Sequence, residues 1–195
     1  MLYEAYQAHD DLMAPVRGFA GIASRALAHL PPSLADSVGI RSLAAGYEML
    51  ERAHFTHERP PFGIESVKIG NRSVQVSERA VDVAPFCTLL HFEKDTPSPG
   101  PRVLLVAPLS GHFSTLLRET VRTMLRDHDV YLTDWHNARD VSLEHGVFGL
   151  DEYVADLIRC LRLIGPGAHL MAVCQPCVPA LAAVAVMSED CDPAL

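Results

Sequence analysis

The sequence predicts an α/β fold in which a mostly parallel sheet follows a helical N-terminal extension. Three observations support this. Apolar residues recur at helical spacing in residues 3–53, residues 60–100 change to a period-two pattern, and from residue 103 onward short apolar runs alternate with helical segments. Such alternation favours parallel strands with helices on both faces of the sheet. We expect the extension to span residues 1–60 and the sheet domain to span residues 61–195.

The extension contains two expected helices. The first covers residues 3–30 and should be broken near Pro15 and Gly18, because proline removes a backbone donor and glycine is a poor helix former. The second covers residues 34–53. Amphipathic helices usually pack against a core, so we favour packing over contact with a polymer.

The period-two region contains three expected strands. Val67–Ile69 and Val74–Ser77 flank Gly70-Asn71, a pair typical of hairpin turns, and Thr88–Phe92 follows. These antiparallel strands would open the sheet. The prolines and glycine of residues 96–101 then mark a surface loop.

The second half of the chain supplies the parallel strands. The expected strands are Val103–Ala107, Val130–Thr133 and His169–Val173, and the expected helices are Phe113–Arg126, Gly149–Ile164 and Pro179–Met187. The last strand is a continuous apolar run that suits a buried position, and the last helix is apolar on every side, which also suits burial. In parallel sheets the chemistry lies at the carboxyl ends of the strands. Three loops are expected there: Pro108–Phe113, Asp134–Arg139 and the turn at Cys174.

The turn at Cys174 has the features of a nucleophilic site. Ala172-Val-Cys174-Gln-Pro176 fits the pattern of a nucleophile elbow, although Ala172 and Pro176 stand where glycines are usual. A side chain at such a strand-to-helix bend points out of the sheet, and the N–H groups of the first helical turn can donate to an oxyanion. Helix N-termini also favour thiolates, the form in which cysteine attacks.

These residues resemble a known enzyme family. Ala172–Pro176, preceded by Val103–Val121 and Val130–Arg139, is similar to the intracellular polyhydroxyalkanoate depolymerases, as is the opening Met1–Gln7. The resemblance implies a sheet of the α/β-hydrolase type and a cysteine nucleophile that cleaves stored poly(3-hydroxybutyrate). It also implies that the partner is the polyester or its granule surface, that the protein lies in the cytoplasm on storage granules, and that no cofactor is needed.

The resemblance also implies roles for individual residues. Cys174 is the nucleophile, the Gln175 N–H is one oxyanion donor, and a second N–H comes from the loop of Leu109, Ser110 and Gly111. Gly111 would let backbone approach the substrate, but it can equally serve only the turn. His112 is not expected to be the base, because the acid and histidine of the family follow the nucleophile, beyond residue 195. We therefore expect an N-terminal fragment, truncated after the nucleophile elbow helix and inactive by itself.

Composition excludes several other functions. A formal net charge of −8 without a basic cluster argues against nucleic acid. The sequence shows no secretory signal, and no apolar run approaches the ~20 residues that span a membrane. Five cysteines without a signal indicate reduced thiols in a cytoplasm. His54-x-x-His57 lacks the further ligands of a zinc site, so no metal is expected.

Several other residues have structural explanations. We expect Asp134 to hydrogen-bond its loop, His136 to stay outside the triad, His169 to be a satisfied hydrogen-bonding group, and Cys87, Cys160 and Cys191 to be buried or incidental.

Three alternatives stay open. The related polyhydroxyalkanoate synthases also use cysteine, which would make the chain an acyltransferase. Cys174-Gln-Pro-Cys177 has the C-x-x-C spacing of thioredoxin-like redox proteins. A non-catalytic piece could bind polyester granules through apolar helices. The sequence does not determine the side-chain length of the polyester, the acyl acceptor or the oligomeric state.

Overall fold

The computed structural model describes residues 2–31, 37–53, 59–109, 113–138 and 140–195. The chain forms two compact units, Met1–Glu58 and Arg59–Leu195. The described residues of the first unit form two α-helices, and those of the second include the sheet.

The described part of the N-terminal unit contains the helices α1 (Leu2–Ala28) and α2 (Val38–Arg52). Between the helices Ala20 is fully buried, and the rings of Phe19 and Tyr47 meet edge to face with their centroids 6.3 Å apart. Ser37 ends the preceding segment and caps α2, because its side chain accepts a hydrogen bond from the Ile40 N–H at 3.3 Å. Both expected helices are therefore present.

The predicted break in the first helix is wrong, because α1 continues through Pro15 and Gly18. The side chain of Arg17 spans the proline. It donates to the Asp10 carbonyl oxygen at 2.7 Å and lies 3.0 Å from the Asp10 carboxylate. These contacts join the helical turns on either side of the proline.

The second unit contains one six-stranded sheet. Its strands are β1 (Ser66–Ile69), β2 (Arg72–Val83), β3 (Cys87–Lys94), β4 (Arg102–Val106), β5 (Asp129–Trp135) and β6 (His169–Ala172). Their spatial order is β1-β2-β3-β5-β4-β6. The predicted hairpin is confirmed, because Ile69 pairs with Arg72 across a turn in which Gly70 has a φ of +58°. All six expected strands are present, and β2 is much longer than predicted.

The α/β class is confirmed, but the prediction of a mostly parallel sheet is wrong, because three of the five strand pairs are antiparallel. β4 pairs in parallel with β5 and with β6, whereas the pairs β1–β2, β2–β3 and β3–β5 are antiparallel. The reason is the length of the connections. Strands β1, β2 and β3 are joined by turns too short to carry the chain back to the other end of the sheet, and only such a crossover makes neighbours parallel.

Helices cover both faces of the sheet. They are α3 (Arg118–Met124), α4 (Leu150–Ile164) and α5 (Cys177–Glu189), with short 3-10 helices at Ser114–Leu117 and Leu143–His145. The expected helix 113–126 is thus divided into a 3-10 turn and α3. Asp134 of β5 contacts Ser114, which leads into α3, whereas the next residue, Trp135, packs on Tyr153 of α4. Because successive side chains of a strand point to opposite faces, α3 and α4 lie on opposite sides.

The last strand and helix are less buried than predicted. β6 pairs only with β4 and alternates between exposed and half-buried residues, with His169 among the exposed ones. Helix α5 buries Pro179, Ala180, Ala183 and Met187 but exposes Val178 (67%) and Leu181 (73%). Apolar composition marked both elements as buried, but β6 is an edge strand and only one face of α5 packs on the sheet domain.

Candidate active site at the turn after β6

The backbone at Cys174 is in a conformation that residues with a side chain seldom adopt. Cys174 has a φ of +68°, in the left-handed region, and lies between the end of β6 and the start of α5. That region costs a non-glycine residue on the order of 1–3 kcal/mol. Among the described residues, Cys191 is the other non-glycine residue with a positive φ. Cys191 follows the C-terminus of α5, where left-handed residues are common, whereas Cys174 precedes a helix.

The strained turn holds the Cys174 side chain at the surface. The thiol is free and exposed. The turn is closed by a hydrogen bond from the Cys177 N–H to the Cys174 carbonyl oxygen at 3.2 Å. Of the described residues, none accepts a hydrogen bond from the Gln175 N–H. An exposed nucleophile therefore lies beside a backbone donor at the N-terminus of α5, as a nucleophile elbow requires.

The loop after β4 meets this turn. Val106 pairs with Ala172, and the Val173 N–H donates to the Val106 carbonyl oxygen at 3.3 Å. Three residues later in the loop, the Leu109 N–H donates to Gln175 Oε1 at 3.2 Å. The structure thus brings together Cys174, Gln175 and Leu109. Ser110 and Gly111, the other expected oxyanion residues, lie outside the described residues, as do His112, Arg139, His54 and His57.

Three side chains fix Ala107, the first residue of that loop. Its N–H donates to Thr133 Oγ1 at 3.0 Å, and its carbonyl oxygen accepts from Trp135 Nε1 at 2.8 Å and from the Tyr153 hydroxyl at 3.4 Å. Burial raises the pKa of Tyr153, with a smaller contribution from Cys87, so the hydroxyl remains a donor. We call these contacts the Ala107 clamp. They hold the loop where its next free N–H faces the turn at Cys174.

The clamp was not found from the sequence, although one signal was present. Trp135 is the only tryptophan of the chain and ends a strand. A buried indole N–H usually finds an acceptor, so a tryptophan at the carboxyl end of a strand indicates a fixed loop nearby. Tyr153 and Thr133 gave no comparable signal, because neither side chain is unusual in its helix or strand.

Asp134 is held by neighbours at the same edge. Its carboxylate accepts a hydrogen bond from the Ser114 hydroxyl, and Arg59 Nε lies 2.6 Å from Oδ2 at an angle poor for a hydrogen bond. Burial raises the pKa of Asp134, opposed by Ser114 and then by Arg59. The expectation that this residue bonds its own loop is therefore corrected: it links β5 to the segment before α3 and to Arg59.

The histidine of this edge has both ring nitrogens engaged. His136 Nδ1 donates to the Pro85 carbonyl oxygen at 2.9 Å, and Nε2 lies 2.7 Å from Thr88 Oγ1. In a neutral ring the Nε2 atom accepts from the threonine hydroxyl. These bonds give His136 a structural role beside β3, in keeping with its expected place outside a triad.

The remaining cysteines fall into two groups. Cys87 and Cys160 are fully buried, and a hydrogen bond between them, with burial, raises the pKa of the Cys87 thiol well above its ordinary value. Cys177 is exposed, and its Sγ lies 3.6 Å from the Ala172 carbonyl oxygen. Only thiols that are exposed are available for chemistry with a large substrate.

The described residues contain neither a metal centre nor a membrane-spanning helix. Within the described ranges, no group of three His, Cys, Asp or Glu side chains is arranged to hold a metal ion. No helix in the part of the chain that the structure describes is long and apolar enough to cross a membrane. Comparisons with known protein families, with curated proteins and with solved structures found no match.

Proposed function

We propose that this chain carries the nucleophile of an ester hydrolase of the α/β-hydrolase type, with a polyhydroxyalkanoate as its substrate. The observation that carries the proposal is the positive φ of Cys174 at a strand-to-helix turn. Strained non-glycine residues concentrate at functional sites, and this one bears an exposed thiol. The strain gives the side chain the outward direction that a nucleophile needs.

The strand order supports the α/β-hydrolase assignment. β4 lies between β5 and β6, so the chain winds to one side of β4 and then crosses to the other. Ligands of open α/β sheets bind beyond the carboxyl ends of strands where the winding reverses. Leu109 follows β4, and Cys174 follows β6, its parallel neighbour. In α/β-hydrolases an oxyanion loop and a nucleophile have this relation.

The geometry supports the following two-step reaction. The Cys174 thiolate attacks the ester carbonyl carbon, a C–S bond forms, and the carbonyl π electrons move onto oxygen. The Gln175 and Leu109 N–H groups then donate to that oxyanion. Collapse of the intermediate re-forms the carbonyl, breaks the C–O bond and releases the alcohol, whose oxygen takes a proton. Water then cleaves the thioester to a carboxylic acid and restores the thiol.

The base that moves these protons is not assigned to a described residue. The resemblance to the depolymerases implies a histidine and an acid that follow the nucleophile in the chain, and we retain that implication as part of the proposal. Asp134 and His136 are not substitutes, because their polar atoms are engaged by Ser114 and Arg59 and by Thr88 and Pro85.

The polyester substrate is supported by the resemblance and by the surface around the thiol. Met171, Val178 and Leu181 are exposed on the strand and helix that flank Cys174. An apolar surface suits a water-insoluble polymer of hydroxyalkanoate units better than a charged metabolite. Cytoplasmic storage granules are the corresponding location.

The test is the formation of an acyl-enzyme. We expect the 195-residue chain to gain one butyryl group from p-nitrophenyl butyrate, because a nitrophenolate leaves without a proton from the protein. Cleavage of amorphous poly(3-hydroxybutyrate) is the second assay and requires the proton-transfer residues as well. Acylation that is unchanged in Cys174→Ala contradicts the proposal.

A redox function is the second candidate, favoured by the exposure of both cysteines of the C-x-x-C sequence. It predicts a reversible Cys174–Cys177 disulfide with a defined reduction potential. Titration with glutathione redox buffers separates the two functions. A stable disulfide in a protein that shows no acylation supports the redox function, and acylation that Cys177→Ser leaves intact supports the hydrolase.

A further inference from the structure

The Gln175 side chain accepts a hydrogen bond from one of the two N–H groups that we propose as oxyanion donors. Its carboxamide oxygen, Oε1, accepts a hydrogen bond from the Leu109 N–H at 3.2 Å, and the bond is exposed. The backbone N–H of the same residue is the other proposed donor. Gln175 is thus connected to both sides of the place where a substrate carbonyl oxygen would lie.

The backbone just before Leu109 is held in place. The Ala107 clamp fixes the loop two residues earlier through Thr133, Trp135 and Tyr153. Pro108 has no N–H, so Leu109 carries the first free donor after the clamp. The clamp limits where this donor can lie, and the side chain that accepts from it is exposed and able to change rotamer.

The chemistry of the acceptor resembles that of the substrate. A carboxamide oxygen is a neutral carbonyl acceptor, as is the oxygen of an ester in its ground state. An oxyanion accepts more strongly, because hydrogen bonds to ionised groups are about twice as strong as neutral ones. The developing oxyanion can therefore displace the carboxamide, and the exchange of one hydrogen bond for another is inexpensive at an exposed position.

We propose that the Gln175 side chain is a placeholder that keeps the Leu109 N–H directed at the substrate position until the ester displaces it. Gln175 is then a positioning residue through its side chain, in addition to the role of its N–H. The inference rests on the proposed function, since it concerns the same oxyanion. It assigns to this glutamine a reason for being a neutral amide rather than a carboxylate.

The decisive variant is Gln175→Glu. A carboxylate of the same length binds the Leu109 N–H more strongly and competes with the oxyanion, so acylation by p-nitrophenyl butyrate should fall about 10²-fold at neutral pH, the effect of losing one oxyanion donor. Gln175→Leu has a side chain of similar size without the acceptor oxygen. Its acylation rate should fall by no more than about tenfold, which corresponds to the loss of one neutral hydrogen bond. The ratio of Gln175→Glu to wild-type rates should rise as the pH falls towards ~4.3, where glutamate protonates.

Alkylation of Cys174 by iodoacetamide is the control, because that reaction forms no oxyanion. It should change by less than about threefold in Gln175→Glu, as expected for one added surface charge. Val186→Glu adds the same charge at an exposed position of α5 outside the proposed substrate surface and should leave acylation within about threefold of wild type.

Three results overturn the inference: wild-type acylation in Gln175→Glu, alkylation slowed as much as acylation, or an equal loss in Val186→Glu. Each leaves the proposed function standing if the wild type is acylated at Cys174. Absence of that acylation in the wild type refutes the proposed function, and the inference with it.

Discussion

The two ends of the parallel strands both carry polar side chains, but they use them differently. At the amino end, His91 Nε2 lies 2.7 Å from Asp129 Oδ1, and Lys94 Nζ donates to the Leu125 and His128 carbonyl oxygens at 2.7 and 2.8 Å. These groups are buried and bonded to one another or to the end of α3. At the carboxyl end, Cys174 has an exposed thiol on a strained backbone.

The comparison shows which features distinguish the end of the sheet that carries the candidate site. Buried polar clusters occur at both ends, so a cluster of titratable side chains does not distinguish them. The carboxyl end differs because its loop is fixed by the Ala107 clamp, while the Cys174 thiol and the Gln175 carboxamide remain exposed. A rigid support with exposed reactive groups is the arrangement that lowers the reorganisation needed in catalysis.

The largest expected effect is the loss of the nucleophile. Cys174→Ala should reduce acyl transfer by at least ~10³-fold, because covalent catalysis cannot proceed without the attacking atom. Cys174→Ser should also be strongly impaired, since a hydroxyl has a far higher pKa than a thiol. Burst release of nitrophenolate measures the effect.

Cys177→Ala is the matched control for the nucleophile. It removes an exposed thiol three residues away and should cost about 1 kcal/mol of stability or less, with little change in the burst. If the burst depends on Cys177 as strongly as on Cys174, the reaction requires both cysteines and the single-nucleophile proposal is wrong.

The next largest effect is expected when the buried polar cluster at the amino end is disrupted. Asp129→Ala leaves His91 buried without its carboxylate and should lower the free energy of unfolding by about 2–3 kcal/mol. Asp127→Ala removes a neighbouring exposed carboxylate and should change it by less than about 0.5 kcal/mol. Urea unfolding measures both. Acylation at 25 °C should stay at the wild-type rate, and a fall in the rate for folded Asp129→Ala would link the two ends.

A smaller effect tests the clamp. Trp135→Phe keeps a ring against Tyr153 and Phe148 but removes the hydrogen bond to the Ala107 carbonyl oxygen, which should cost about 1 kcal/mol of stability. The acylation rate should fall by up to about tenfold as the loop loses its support. Phe148→Leu alters the same aromatic cluster without touching Ala107. If it slows acylation equally, packing rather than the clamp controls the rate.

The smallest expected effect is a pH dependence at Asp134. Burial raises the pKa of Asp134 above its ordinary value, so folding favours the protonated form. Stability from this group is highest below the unfolded pKa and declines as the pH rises through the raised native pKa. Asparagine does not titrate. The unfolding free energy of the wild type should therefore fall relative to Asp134→Asn as the pH rises above about 3.9, the ordinary aspartate pKa. A constant difference would show that Asp134 is not destabilised by burial.

The elements of the sheet domain were largely predictable, because their signals are local. The alternation of apolar and polar residues predicted the antiparallel strands, and apolar residues at helical spacing predicted α4. Pairing direction and burial were harder, since they depend on neighbours. His169–Val173 reads as a buried strand by composition, but the strand formed there, β6, has one partner and is half exposed. Pro15 marks a break by its chemistry, yet Arg17 bridges it.

The candidate site was predictable where a short segment contains it. Cys174 and Gln175 lie in one turn, and the spacing of strand and helix placed them together. The link from Gln175 to Leu109 and the contacts of Trp135 and Tyr153 with Ala107 join residues far apart in the chain. Such pairs become neighbours only through the strand order β5-β4-β6, which no local pattern encodes.

The most direct test of the central claim is to locate the acyl group. After reaction of the 195-residue chain with p-nitrophenyl butyrate, proteolysis and mass spectrometry should find one butyryl group, on Cys174, while the exposed thiols of Cys177 and Cys191 stay unmodified. This result is expected because the proposed oxyanion donors, the Gln175 and Leu109 N–H groups, lie beside Cys174. A butyryl group shared among the three exposed cysteines would show that exposure alone governs reactivity and would contradict the account.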